Sequence, residues 1–256
     1  MDTALTITSR ANPRFKALHA LVASGGAKRT HTLFLGEKLI EAWVEAAKTP
    51  VGQRFRPVTW LRLEGVKPHP LEKLRAPETL VLGEALMRDL AHAGSPPDHV
   101  LLMELGPEAE GPLASRVIVP WGIQDPGNLG AILRSAAAFG FQEALLGPGC
   151  VDPFSPKALR GSMGAAFLLA IRRPECLLLD GGKWFALHGG KGALRLDEAE
   201  LQEPVRILVG NEGHGWKDME LPPEVRYLAI PIQGMESLNA AVAAGIACYE
   251  VDRRAR

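Results

Sequence analysis

From residue 116 to the end, short apolar runs alternate with helix-patterned segments. That alternation restricts the chain to an α/β fold built on a mostly parallel sheet with helices on both faces. The strand-like runs are RVIVPWGI, EALLG, KWFALHGG, VRILVGNEG and RYLAIPI. Among and after them lie DPGNLGAILRSAAAFG, SPKALRGSMGAAFLLA, the short DEAELQ and the final SLNAAVAAGIACYEV, each expected to be helical. Asp125 and Ser155 offer side-chain oxygens to the free amides of a first turn. Pro126 and Pro156 follow them, and Gly140 is placed to stop the first of these helices. Ser237 is expected to cap the last helix, with Asn239 inside its first turn. In such sheets ligands bind beyond the carboxyl ends of the strands. The loops after residues 123, 188, 209 and 232 therefore fall along one edge.

The first 104 residues have a different texture. An amphipathic pattern on Phe15, Leu18, Leu21 and Val22 precedes HTLFLGEKLIEAWVEAA, a strand running into a helix. RPVTWLRLEG, PETLVLGEALMRDLA and HVLLMEL add further strand and helix pieces. The Gly- and Pro-rich stretch around GPEAEGPLAS reads as a linker. The expected organisation is a smaller α/β domain over residues 1–104, a linker over 105–116 and a second domain over 117–256.

Composition excludes some classes and leaves others open. No stretch approaches the roughly 20 apolar residues of a membrane span, and the start MDTALTITSR lacks the pattern of a signal peptide. Cys150, Cys176 and Cys248 are odd in number and far apart, which suits free thiols in a reducing cytoplasm. The seven histidines show no metal-ligand spacing, so no metal is expected. Net charge is zero, yet residues 1–60 carry nine cations against four anions, a locally basic face suited to phosphate. Asparagine is rare, at positions 12, 128, 211 and 239 only, and three of the four fall in the most motif-like segments.

Those segments hold the candidate chemistry. In DPGNLGAILRSAAAFG, Gly130 and Arg134 are one turn apart, so Arg134 is expected to lean over the bare glycine towards the strand-end loop, with Asn128 in the first turn. In ILVGNEGHGW, a glycine-rich loop follows an apolar strand. Its spacing is neither a dinucleotide fingerprint nor a P-loop, and its Glu212 suits a cation, a hydroxyl or an arginine better than a phosphate. In GMESLNAAVAAG, Ser237 and Asn239 place two polar groups at the head of an alanine-rich helix able to pack closely on another backbone.

Taken in order, these three segments resemble the motifs of the SpoU (TrmH-type) RNA 2'-O-ribose methyltransferases of the SPOUT class, over roughly residues 117–252. SRANPRFKAL and TLFLGEKLIEA are similar to the ribosomal-protein-like RNA-binding domain that often precedes that catalytic domain, with Gly36-Glu37 where Glu-Gly is common. Trp121 and Gly122 in PWGIQDPGN also depart from the usual residues. The resemblance implies a C-terminal trefoil knot, which general topology rules would not suggest. It further implies S-adenosylmethionine as cofactor, a homodimer, and RNA as substrate, with rRNA favoured over tRNA by the appended domain. Arg134, Asn128, Glu212, Ser237 and Asn239 are the catalytic candidates it assigns. Gly210, Gly213, Ile230, Ile232 and Leu238, with Val209, His188 and Gly189, are the cofactor-binding candidates, mostly through backbone groups. Arginine, with a pKa above about 12, is a poor base. Arg134 is therefore expected to hold a phosphate or stabilise the alkoxide while another group takes the proton. Two rivals stand beside this reading: a nucleotide-binding enzyme using the 210–215 loop for phosphate, and a non-catalytic RNA-binding protein that kept the fold.

Overall fold

Two sheets organise the chain in a computed structural model that describes residues 4–23, 29–72, 76–92, 94–177, 179–190, 192–211, 216 and 220–256. Its first half contains β1 (Leu5–Ile7), α1 (Pro13–Ala23), β2 (His31–Leu35), α2 (Glu37–Ala46), β3 (Phe55–Leu63), β4 (Glu78–Leu82), α3 (Glu84–Ala91) and β5 (His99–Leu105). The strands order as β1-β4-β3-β5-β2, with β4 parallel to β1 and β3, and β5 antiparallel to β3 and β2. Asn12 opens α1: its side chain accepts from the Arg14 amide at 2.9 Å and its carbonyl from the Lys16 amide at 3.1 Å.

The second half contains β6 (Arg116–Pro120), α4 (Pro126–Ala138), β7 (Glu143–Leu145), α5 (Pro156–Ser162), β8 (Ala170–Arg172), β9 (Lys183–Leu187), β10 (Leu194–Arg195), β11 (Val205–Val209), β12 (Val225–Ala229) and α6 (Ala240–Ala255). Its seven strands run β10-β12-β9-β11-β6-β7-β8, and every pairing is parallel. β11, VRILV, lies near the middle and is buried throughout, as a strand covered on both faces must be. Strand alternation sorts its side chains: Val205, Ile207 and Val209 join the helix-covered cluster, and Leu208 joins the cluster of the other face. The helices of this half, α4, α5 and α6, feed the first cluster. On the other face, the described residues packing Val117, Val119 and Trp184 are Leu113, Ala114, Trp121, Leu177, Trp216 and Leu221, none of them in a helix. Among the described residues the expected helical cover is thus met on one face, and irregular segments with large apolar side chains serve on the other.

DEAELQ is not a helix. Leu196–Glu198 form a turn after β10, with the Glu198 and Ala199 amides bonded to the Arg195 carbonyl, each at 3.0 Å. Six residues cannot repay helix nucleation, and the Arg195 side chain pairs with Asp197 at 2.8 Å across the turn.

The two halves share one apolar cluster. Phe34 and Phe55 of the first sheet meet Phe167 with ring centroids 4.4 and 5.1 Å apart, and Phe55 meets Phe154 at 5.6 Å. The Thr32 hydroxyl donates to the Phe154 carbonyl at 2.6 Å, and Arg29 pairs with Asp152 in a nearly buried ion pair. Residues 106–115 are irregular, as expected, but they are strapped down. Arg172 donates to the Gly111 and Pro112 carbonyls at 2.7 and 3.1 Å, and Arg173 pairs with Glu108 at 2.6 Å.

A buried polar nest inside the first half is expected to make its stability depend on pH. Trp60 Nε1 donates to His99 Nδ1 at 3.1 Å, His69 stacks on Trp60, and the Arg62–Glu72 pair (3.0 Å) lies alongside. Burial, and then the neighbouring His69, push the His99 pKa below its ordinary value near 6.5, outweighing the opposite pull of Glu37, Glu72 and Asp98. Below pH about 6.5 the unfolded chain therefore binds a proton that the folded chain refuses. We expect the melting temperature to fall as pH drops below 6.5, and His99→Gln to flatten that part of the profile. An unchanged profile in the variant would assign the slope to other groups.

Candidate active site

Three parallel strands and one helix build a cavity of about 180 Å³ at the carboxyl edge of the sheet. β9 delivers Leu187, His188 and Gly189, β11 delivers Val209, Gly210 and Asn211, and β12 delivers Leu228, Ile230 and Ile232. The segment before α6 closes the fourth side with Glu236, Ser237 and Leu238, and the first turns of α6 add Ala240 and Ala243. His188, Gly189, Val209, Gly210, Ile230, Ile232 and Leu238 thus come together as the sequence suggested. Gly213 and Glu212 lie outside the described residues.

Most of the walls are aliphatic side chains and strand-end backbone. The carboxylate is Glu236, and the described lining residues include no lysine or arginine. The His188 ring lies against Tyr227, centroids 5.0 Å apart, and over Gly190, where an added Cβ would come within 2.4 Å of the imidazole. Leu187, Leu228, Asn211, Glu236, Ala240 and Ala243 were not among the sequence candidates. Strand-end position was a signal for the first two. The small residues at 240 and 243 matter because they leave the cavity open.

α4 starts where the sequence placed it. The Asp125 side chain accepts from the Asn128 amide at 2.8 Å, and that bond, helped by Lys157, holds the carboxyl below the usual carboxylate range. Gly140, at φ +74°, follows the end of the helix. α6 does not start where expected. Its cap is Asn239, not Ser237: the Asn239 side chain accepts from the Ala241 and Val242 amides at 2.9 and 3.2 Å. Ser237 is left in the preceding segment, exposed at the cavity. Both residues are good caps by type, and only the backbone decides between them.

The asparagine amide also does a second thing. Its Nδ2 donates to Asn128 Oδ1 at 3.1 Å, so the first turns of α4 and α6, distant in sequence, are tied side chain to side chain. Asn128 and Asn239 open a shallow groove between these helices that runs past Ala131, Ser135, Val242 and Gly245 to Phe139 and Tyr249. Val242 and Tyr249 are half exposed there. Asn239→Asp keeps the capping acceptor and loses the donor, whereas Asn239→Ala loses both. The alanine variant is expected to lose about 1 kcal/mol of stability, and the aspartate variant much less, by urea unfolding. Equal losses would mean that capping is not what Asn239 contributes.

The third asparagine of the site, Asn211, donates from Nδ2 to the Gly122 carbonyl at 2.8 Å. Gly122 has φ +67°, and the Trp121 ring occupies the space where a Cβ on Gly147 would sit, 2.0 Å from the indole. The unusual Trp121-Gly122 pair therefore lies behind the second motif and supports it, outside the cavity lining.

Arg134 is the clearest departure. The bare face of Gly130 is not open space for it to cross, because Gly130 is buried against α5. A Cβ there would lie 2.6 Å from the Ala158 carbonyl oxygen and 2.7 Å from the Ser162 amide nitrogen. The glycine serves helix crossing, reciprocated by Gly161, whose added Cβ would lie 3.4 Å from Gly130 Cα. Arg134 is exposed on α4, does not line the cavity, and has no ion pair among the described residues. Ser237 thus lines the cavity, Asn128 and Asn239 line the groove between α4 and α6, and Arg134 lines neither. Among the described residues no cluster of His, Cys, Asp and Glu could hold a metal ion, and no helix is long and apolar enough to cross a membrane.

Comparison with known proteins points the same way. The chain is 34% identical over 266 residues to an uncharacterised tRNA/rRNA methyltransferase of Synechocystis sp., covering 97% of this chain and 94% of that one. It is 35% identical over 152 residues to the 23S rRNA (guanosine(2553)-2'-O)-methyltransferase of Bacillus subtilis, over 57% of this chain and 61% of the relative. The crystal structure of an AdoMet-bound rRNA methyltransferase from Sinorhizobium meliloti shares the fold, with a TM-score of 0.76 at 24% identity over 98% of both chains. That of an RNA 2'-O ribose methyltransferase superposes with a TM-score of 0.72 at 29% identity, over 98% of this chain and 99% of that one. The family described as SpoU rRNA Methylase matches residues 115–249. The chain belongs to the SpoU rRNA methylase family.

Proposed function

We propose that this protein transfers a methyl group from S-adenosylmethionine to a ribose 2'-hydroxyl of RNA. The observation that carries the reading is the cavity where three strand ends and the head of α6 meet, aliphatic and backbone-lined with one carboxylate and no cation among its described lining residues. Such walls suit a nucleoside bearing a positive charge, and they suit a polyphosphate poorly, which counts against the rival nucleotide-binding enzyme. Ile230, Ile232 and Leu238 would bury the flat base, and the backbone at His188, Gly189, Val209 and Gly210 would supply polar contacts. S-adenosylmethionine brings a methyl group already activated on a sulfonium.

The chain's own task is then to align one hydroxyl and remove its proton. Ser237, at the cavity, and the bonded Asn128–Asn239 pair would position the ribose, and the family resemblance assigns Glu212, outside the described residues, to the same task. Arg134 would hold a substrate phosphate with its planar guanidinium or stabilise the oxygen as the O–H bond breaks. The proton passes to another acceptor.

The same proposal includes three finer points. The groove between α4 and α6, with its half-exposed Val242 and Tyr249, is the face on which two copies pair. The C-terminal segment is threaded as a trefoil knot, consistent with the close approach of Gly245 to Ser135, where a Cβ would lie 3.3 Å from the hydroxyl. The substrate is ribosomal RNA in preference to tRNA, modified in the cytoplasm.

Calorimetry with S-adenosylmethionine and with NAD, beside tritium transfer to rRNA, tests the reading. We expect binding of the first alone, and label recovered in dinucleotides that resist alkaline hydrolysis, the signature of a blocked 2'-oxygen. Label in a base would overturn the 2'-O assignment. Tight RNA binding with no transfer would favour the non-catalytic rival.

A further inference from the structure

A second cavity, of about 260 Å³, opens on the seam between the two halves, away from the site just described. Leu35 and Leu39 come from the end of β2 and the first turns of α2, and Pro156 and Met163 from α5 and the residue after it. Its remaining lining residues are Lys38 and Arg160, both exposed.

Charge is what makes this groove unusual. Neighbouring cations are committed: Lys48 to Glu45, Lys157 to Asp125, Arg29 to Asp152. Lys38 and Arg160 have no ion pair among the described residues, and neither has Arg134 on the helix that crosses α5. The nearby Glu37 carboxylate sits 3.8 Å from His99 Nε2. The groove thus combines an aliphatic floor with two cations that form no ion pair among the described residues. Met163 adds a second oddity. It sits at φ +50°, the left-handed position ending α5 where glycine is the usual choice, and its side chain is 48% exposed over the groove. A flexible, polarisable thioether suits contact with an aromatic ring.

We infer that this groove takes a nucleotide of the RNA substrate flanking the methylated one, its base against Leu39 and Met163 and its phosphate on Lys38 and Arg160. The inference rests on the methyltransferase reading for the identity of the polyanion. An unstacked base with its phosphate supplies both the flat apolar surface and the negative charge that these six residues match. The seam position gives it reach: α5 crosses α4 at Gly161 and Gly130, so the groove is one helix away from Arg134.

The test uses the full chain and a fluorescein-labelled, mixed-sequence RNA oligonucleotide in an anisotropy titration over a salt series. Lys38→Gln with Arg160→Gln is expected to flatten the log–log salt dependence by about 0.7 per lost phosphate contact. KM for RNA should rise while kcat and S-adenosylmethionine affinity stay unchanged. Oligonucleotides carrying 4-thiouridine should crosslink to Met163 or its neighbours under long-wave light. Wild-type protein that binds and methylates RNA, with the double variant unaltered and no crosslink in either groove wall, overturns the groove alone. Wild-type protein that binds neither S-adenosylmethionine nor RNA overturns the enzyme reading and the groove together. A glutamate-rich peptide competing as well as RNA also overturns it, since the groove would then be a protein contact.

Discussion

Arg134→Ala should lose methyl transfer by roughly a hundredfold or more in kcat, the range in which removing a proton-transfer or charge-stabilising group acts. S-adenosylmethionine affinity should stay within a factor of two. The reason is positional. Arg134 is exposed on α4, outside the cavity lining, and it holds no ion pair among the described residues that its removal would orphan. A defect must therefore fall on the substrate side of the reaction. Arg134→Lys keeps a charge and loses the planar fork, so it should recover part of the rate if Arg134 is a point charge and little if it grips a phosphate with two N–H groups. Tritium transfer beside calorimetry reads both quantities, and full activity in the alanine variant would sink the role assigned here.

Gly130→Val should be the most damaging substitution to the fold. Its nearest obstacles are backbone atoms, the Ala158 oxygen at 2.6 Å, the Ser162 nitrogen at 2.7 Å and the Gly161 carbon at 2.8 Å, so no side chain can swing aside. The helices must separate, and forced overpacking of this kind costs about 3 kcal/mol or more. Because α4 also carries Asn128, the bond to Asn239 should go with it. Gly94→Ala is the control: a Cβ there meets nothing within 4 Å, and the change should stay within about 0.5 kcal/mol. Equal urea midpoints for the two variants would show that α4 and α5 do not cross as tightly as described.

The sequence made the second sheet legible because buried parallel strands are short apolar runs, and the residues just past them were bound to share an edge. The loops after residues 188, 209 and 232 follow from that rule, whereas Val209, Gly210, Ile230 and Ile232 as cofactor candidates come from the family resemblance. Three things were hidden for a common reason: each depends on which distant segment comes close. Gly130 looked like room for Arg134, and only the approach of Gly161 shows that the room is filled. Ser237 and Asn239 are equally good caps on paper, and the turn of the backbone chose the second. Phe34, Phe55 and Phe167 each marked an apolar face, but periodicity names the face and not its partner.

Those three rings have a mechanical meaning. A linker between halves normally permits a hinge, and a hinge lets a protein adapt its grip to many shapes. Here the phenylalanine contacts, the Thr32 bond and the straps from Arg172 and Arg173 fasten the halves and the linker at several points along the seam. Parting the two halves would expose those rings to water, a cost that a bare linker would not impose.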